Sequence, residues 1–188
     1  MQAVGFRIRS GVAIAVVIAG SPATWEVSLS RTVDLCPKEG KLARFPYHPL
    51  VELEGDAGAA ASRKAVDAVR GVARRELQGL LSALGPLSVA GIVGGSLIDP
   101  ASLPNVHMRA HALEGKLYRE VVATALRAAS IPAHVFSDRD LLVGLAKRLA
   151  ISASELAALL TRAGRGRFRP WSAHEKLATA AALMSLRM

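Results

Sequence analysis

His107, His111 and Glu114 are the first side chains in this sequence whose types and spacing suggest chemistry. They fall at i, i+4 and i+7 of one predicted helix and so share a face, and two imidazoles with a carboxylate are a ligand set for zinc or manganese. The acid that lies between the histidines of a zinc-protease helix is missing, and no fourth ligand is identifiable. Arg109, Lys116 and Arg119 lie close by, so a polar helix face without a metal is the plainer reading.

A second constellation runs from Gly164 to Trp171. Gly164 and Gly166 discourage helix and Pro170 biases Arg169 toward extended backbone, so Arg165, Arg167 and Arg169 at period two would point the same way. Such a row of guanidinium forks takes phosphates, and Phe168 and Trp171, if exposed, offer stacking surface to unpaired bases. The competing reading is a linker between two helices, its rings folded into the core and its arginines solvated.

Other motifs carry less. Gly94-Gly95-Ser96 follows a predicted strand and could offer backbone N–H groups to a phosphate, but no Lys-Ser or Lys-Thr follows, and Pro100 and Pro104 delay the next helix. Arg63, Arg70 and Arg74 share a helix face with Asp67, which can pair with its neighbours, so a solvated face is expected there. His48, His134 and Ser137 show no readable nucleophile–base pairing. Cys36, the only cysteine, excludes an intrachain disulfide and any thiol cluster; between Leu35 and Pro37 it has no visible activating base and is expected to be structural.

The elements that would position these groups are legible in the hydrophobic pattern. Residues 4–8 alternate, Ser10-Gly11 forms a turn, and residues 12–19 are a continuous apolar run, which predicts a hairpin whose second strand is central. Trp25, Val27, Leu29, Val33 and Leu35 alternate with polar residues, predicting a strand with one wet face. Residues 37–58 read as a long irregular connection whose Phe45-Pro46-Tyr47-His48-Pro49 core packs over the sheet. Helical spacing covers residues 59–84 and about 105–129, with a short buried strand at 87–93 between them and a last strand at 133–136. From about residue 138 the chain is helical, with Ser137 as a cap and capping boxes at Ser152/Glu155 and Ser172/Glu175.

The 188 residues are expected to form a single α/β domain with its own core. A 51% hydrophobic, 21% charged composition excludes a disordered chain, and 4% aromatic residues disfavour an all-β sandwich. A formal charge of +9 fits a polyanionic partner as well as it fits a solubilising surface. Residues 1–23 have the outline of a secretory signal, but the strand-like alternation at 4–8 argues against one, and the apolar run is too short to span a membrane. A reducing, cytoplasmic setting and no membrane partner are therefore expected.

Three consecutive strands, then helix, strand, helix, strand and terminal helices resemble the ribonuclease H-like superfamily, and the start resembles its Holliday-junction resolvase branch. That branch opens on Gly-apolar-Asp, a glycine turn and Gly-apolar-Ala-apolar; Gly5-Phe6-Arg7 and Gly11-Val12-Ala13-Ile14 stand at the comparable places. The resemblance implies a mixed sheet with extra C-terminal helices. It also implies a divalent-metal cradle of three acids, of which Asp99, after the fourth strand, and Glu175, on the last helix, are the candidates here. Arg7 replaces the first acid, and a guanidinium in a metal cradle repels the ion. The expectation is thus a nucleic-acid-binding or scaffold protein without catalysis or cofactor. A metal-dependent phosphodiesterase using Asp99, Glu114 and Glu175 together, or else the helix histidines, is the alternative, and a protein-interaction subunit the third.

Overall fold

The structure is a computed structural model that describes residues 1–21, 24–40, 43–53, 55–94 and 97–188. Its sheet has five strands: β1 (Gln2–Arg9), β2 (Val12–Gly20), β3 (Trp25–Asp34), β4 (Val89–Val93) and β5 (Ala133–Phe136), in the order β3-β2-β1-β4-β5. The first three are antiparallel, and β4 and β5 add in parallel beside β1. The middle strand is therefore β1. β2 is interior, flanked on both sides by β1 and β3, as its apolar run predicts.

Helices cover both faces. A short α1 (Pro49–Glu52) leads into α2 (Gly55–Ala83), and α3 (Val106–Ala128) joins β4 to β5. Val66, Val69, Ala73 and Leu77 of α2 and Leu117, Tyr118 and Val122 of α3 pack with Val4, Phe6 and Ile8 of β1 on one face. On the other, α4 (Asp138–Leu149), α5 (Ala153–Gly164) and α6 (Ala173–Ser185) pack with Ala3, Ile14, Val16 and Ile18. Both capping boxes form, and Ser137 caps α4 as its sequence predicts. No helix among the described residues is long and apolar enough to cross a membrane.

α6 lies unusually close to the sheet, and two glycines make this possible. Gly5 of β1 and Gly91 of β4 are register partners, and a Cβ built on them would stand 1.8 Å from the Ala178 carbonyl oxygen and 2.2 Å from that of Ala181. Ala178, Ala181 and Ala182 complete the helix side of this trough, all fully buried.

The third strand departs from its expected pattern. Val17 pairs with Leu29 and Ile18 with Val27, so Ser28 is an extra residue in β3. One extra residue reverses the side-chain alternation. Trp25 and Val27 accordingly pack with α4–α6, whereas Leu29, Val33 and Leu35 pack on the α2/α3 face. The five apolar positions do not share one face opposite a wet one, and the edge strand contributes to both layers.

Candidate functional site

The parallel strands β1, β4 and β5 end together, the place where open α/β sheets commonly bind ligands. Arg7 and Arg9 project there from β1, level with the end of β4, since Arg7 is the register partner of Val93. A cleft of about 530 Å³ opens beside them, lined by Arg7, Arg9 and Gly94 on the sheet side and by His111, Glu114 and Arg119 of α3. Arg119 donates to the Gly94 carbonyl at 3.4 Å. Gly95 and Ser96, the rest of the proposed phosphate-binding turn, lie outside the described residues.

Arg7 is partly buried and paired. Its Nη1 donates to Asp138 Oδ1 at 2.6 Å, in the first turn of α4, while its Nε is buried without a hydrogen-bond partner among the described residues. His174, at the start of α6, lies within electrostatic reach of this pair. Burial first, then the charges of Arg9 and Arg7, hold its imidazole below the ordinary pKa, against the opposite pull of Glu175 and Asp138. The unfolded chain therefore takes up this proton at higher pH than the fold does, so the contribution to stability is intact above the unfolded value and falls as pH drops below it. His174→Gln is expected to reduce the loss of melting temperature between about pH 7 and pH 5.5, read by calorimetry on both proteins. Equal losses would place His174 outside this linkage.

The two acids implied by the resolvase resemblance serve as caps. Asp99 accepts from the Ala101 N–H at 3.1 Å and starts a 3₁₀ turn, Pro100–Ser102. Glu175 accepts from Ser172 N and Oγ at 2.7 and 2.6 Å, closing the cap of α6. Neither lies in the cleft wall with Arg7.

The segment 164–171 is not the extended row expected from its glycines and proline. α5 runs through Gly164, and the N–H groups of Arg167 and Phe168 both return to the Gly164 carbonyl at 3.2 Å, making a turn. The cause is Gly166, at φ +81°, together with the anchoring of Trp171: its indole lies over Gly164, and Nε1 donates to the Leu160 carbonyl at 2.9 Å. Phe168 and Trp171 are half-buried against the α4–α6 core, while Arg165, Arg167 and Arg169 are exposed. Arg167 pairs with Glu26 at 2.8 Å. Glu26 is level with Ala19 and Gln2, so this contact lies toward the end of the sheet opposite Arg7 and Arg9.

The α3 histidines gain a partner that the sequence concealed. His48, just before α1, comes against α3, so that one ligand atom from each of His48, His107 and His111 lies within 4.8 Å of the others. Glu114 is no part of a solvated face: it is 2% exposed and engages His48 Nδ1 at 2.8 Å through Oε1 and His111 Nδ1 at 3.2 Å through Oε2. The segment carrying His48 is held by Ser62 Oγ donating to the Pro46 carbonyl and Tyr118 OH donating to that of Arg44, at 2.8 and 2.9 Å. Its Phe45–His48 part thus lies against α2 and α3, with Tyr47 packed on the core that these helices form with the sheet. Cys36 is buried as expected, and burial pushes its thiol pKa up despite Arg44, which suits a structural role.

No protein-family model matches the chain, and no curated protein matches it in sequence. Solved structures do. RuvC of Thermus thermophilus is 15% identical over 98% of this chain and 92% of its own, with a TM-score of 0.59. A T. thermophilus RuvC structure in complex with a Holliday junction substrate gives 13% identity, 98% and 91% coverage and a TM-score of 0.58. The yeast mitochondrial Holliday junction resolvase Ydc2 gives 9%, 98% and 78%, and 0.53. The chain therefore has the ribonuclease H-like α/β fold. Within that fold it resembles RuvC and Ydc2 along nearly its whole length.

Proposed function

We propose that this protein binds nucleic acid, with phosphates seated at the cleft where β1 and β4 end, and that it does so without the carboxylate–metal hydrolysis implied by the resolvase resemblance. The carrying observation is that Arg7 and Arg9 of the middle strand and Arg119 of α3 stand at the same strand ends, Arg7 with one guanidinium nitrogen already given to Asp138. Guanidinium groups are the side chains best fitted to phosphate oxygens, and a formal charge of +9 favours the encounter. A RuvC structure of the same fold is in complex with a Holliday junction substrate, which supports a branched or duplex ligand. Asp99 and Glu175, engaged as caps, supply no cradle for a divalent ion beside Arg7.

The test is binding of labelled four-way junction, duplex and single strand across a salt series. Arg9→Ala/Arg119→Ala is expected to weaken duplex or junction binding by roughly tenfold or more per side chain and to shallow the slope of log affinity against log salt by roughly two. Unchanged binding in that variant, with loss in Arg165→Ala/Arg167→Ala/Arg169→Ala, would move the interface to the turn after α5. Magnesium- or manganese-dependent cleavage lost in Asp99→Asn would overturn the non-catalytic part of the proposal.

A further inference from the structure

The geometry points to a zinc-class metal site formed by His48, His107 and His111, with Glu114 as the buried carboxylate that orients two of its ligands. This inference does not depend on nucleic-acid binding. Three of the chain's five histidines converge here, from α3 and from a segment almost sixty residues upstream. Their rings form a closed triangle of edge-on pairs, with centroids 4.6 Å (His107–His111), 4.9 Å (His48–His111) and 5.2 Å (His48–His107) apart.

Glu114 decides between a chance cluster and a site. A carboxylate so completely buried needs partners, and it takes Nδ1 of His48 on one oxygen and Nδ1 of His111 on the other. With both Nδ1 positions engaged, Nε2 is the nitrogen each ring offers to an ion. This is the carboxylate–histidine–metal relay, in which the outer carboxylate fixes tautomer and ring orientation. The role first read for Glu114, as a ligand, thus passes to His48, and Glu114 becomes a positioning residue.

Bond lengths agree with the assignment. Zn–N bonds of about 2.0–2.1 Å place tetrahedral ligand atoms roughly 3.4 Å apart. One ring nitrogen from each histidine already lies within 4.8 Å of the others, and His107, exposed and without the Glu114 contact that holds His48 and His111, can adjust by rotation. All-nitrogen ligation selects zinc, cobalt, nickel or copper over magnesium or calcium. Three protein ligands leave a fourth position open, and His111 and Glu114 also line the strand-end cleft. An ion there would take water or a phosphate oxygen.

The experiment uses the full chain without a histidine tag. Zinc is titrated by calorimetry, and cobalt is used as a spectroscopic substitute, first alone and then with inorganic phosphate. One equivalent of zinc, four-coordinate cobalt absorption and a change of that spectrum on adding phosphate are expected. His107→Ala, at an exposed position, should fold normally and lose at least tenfold in zinc affinity. Glu114→Gln, which keeps the side-chain size, should weaken zinc roughly 10–100-fold while leaving the stoichiometry unchanged. No zinc binding by the wild type, an affinity unaltered in His107→Ala, or an octahedral cobalt spectrum would overturn the assignment. None of these readouts involves nucleic acid, so failure here leaves the cleft proposal standing, and failure there leaves this one.

Discussion

Gly5→Ala and Gly91→Ala are each expected to cost roughly 3 kcal/mol or more, because overpacking against rigid backbone lies at the expensive end of core substitutions. The added methyl would meet the Ala178 carbonyl oxygen at 1.8 Å in one case and that of Ala181 at 2.2 Å in the other. Neither neighbour is a flexible side-chain tip that could swing aside. Relief requires lifting α6 off the sheet, which opens the alanine-lined interface along its length. A domain holds only about 5–15 kcal/mol in total, so a large part of its margin disappears. Urea unfolding of both variants, with Gly71→Ala as a control at an α2 position open to solvent, measures the effect. A midpoint unchanged in Gly5→Ala would mean that the helix rides over the sheet with room to spare.

Val16→Lys is expected to abolish soluble folded protein. Val16 is fully buried, pairs with Gly5 on one side and Ser30 on the other, and packs beneath the same helix layer. Among the described residues, no acid is buried in that layer except Glu175, which is committed to its cap. An ammonium without a partner in such a place costs several kcal/mol even after relaxation. Val16→Ala, which leaves only a cavity, should by contrast fold with a moderate loss. Soluble expression and circular dichroism separate the two, and a Lys variant melting like wild type would refute the interior placement of β2.

How far the sequence carried depends on the range of the interaction concerned. The hairpin, the caps at Ser137, Ser152 and Ser172 and the α2 and α3 stripes rest on neighbours a few residues apart, and they form as read. The bulge at Ser28 was hidden because an unbroken alternation looks the same whether or not the partner strand skips a residue. His48 was hidden because its contact with Glu114 joins segments far apart in sequence; a histidine wedged before Pro49 in an aromatic stretch was the available hint. The extended arginine row does not form, for a local reason: Gly166 takes a positive φ that turns the chain back on Gly164, a choice that a glycine leaves open in the sequence. Arg7 was legible as a departure from the resolvase pattern, whereas its pairing with Asp138 and its company with Arg9 and Arg119 needed the fold.

The glycine trough also bears on how the protein is made. Its two sides are the first strand and the last helix, so at synthesis rates of about 5–20 residues per second roughly 10–35 s pass between the appearance of Gly5 and that of Ala178. Throughout that interval one face of the hairpin awaits its cover, and such late, long-range closure is slow and exposed to aggregation. At Gly5 and Gly91 the sheet presents no side chain where the helix will land, while Ile14, Val16 and Ile18 of β2 wait uncovered beside them. The packing that leaves no space for a methyl group in the finished molecule therefore also limits, along the trough itself, what the unfinished one shows to its neighbours.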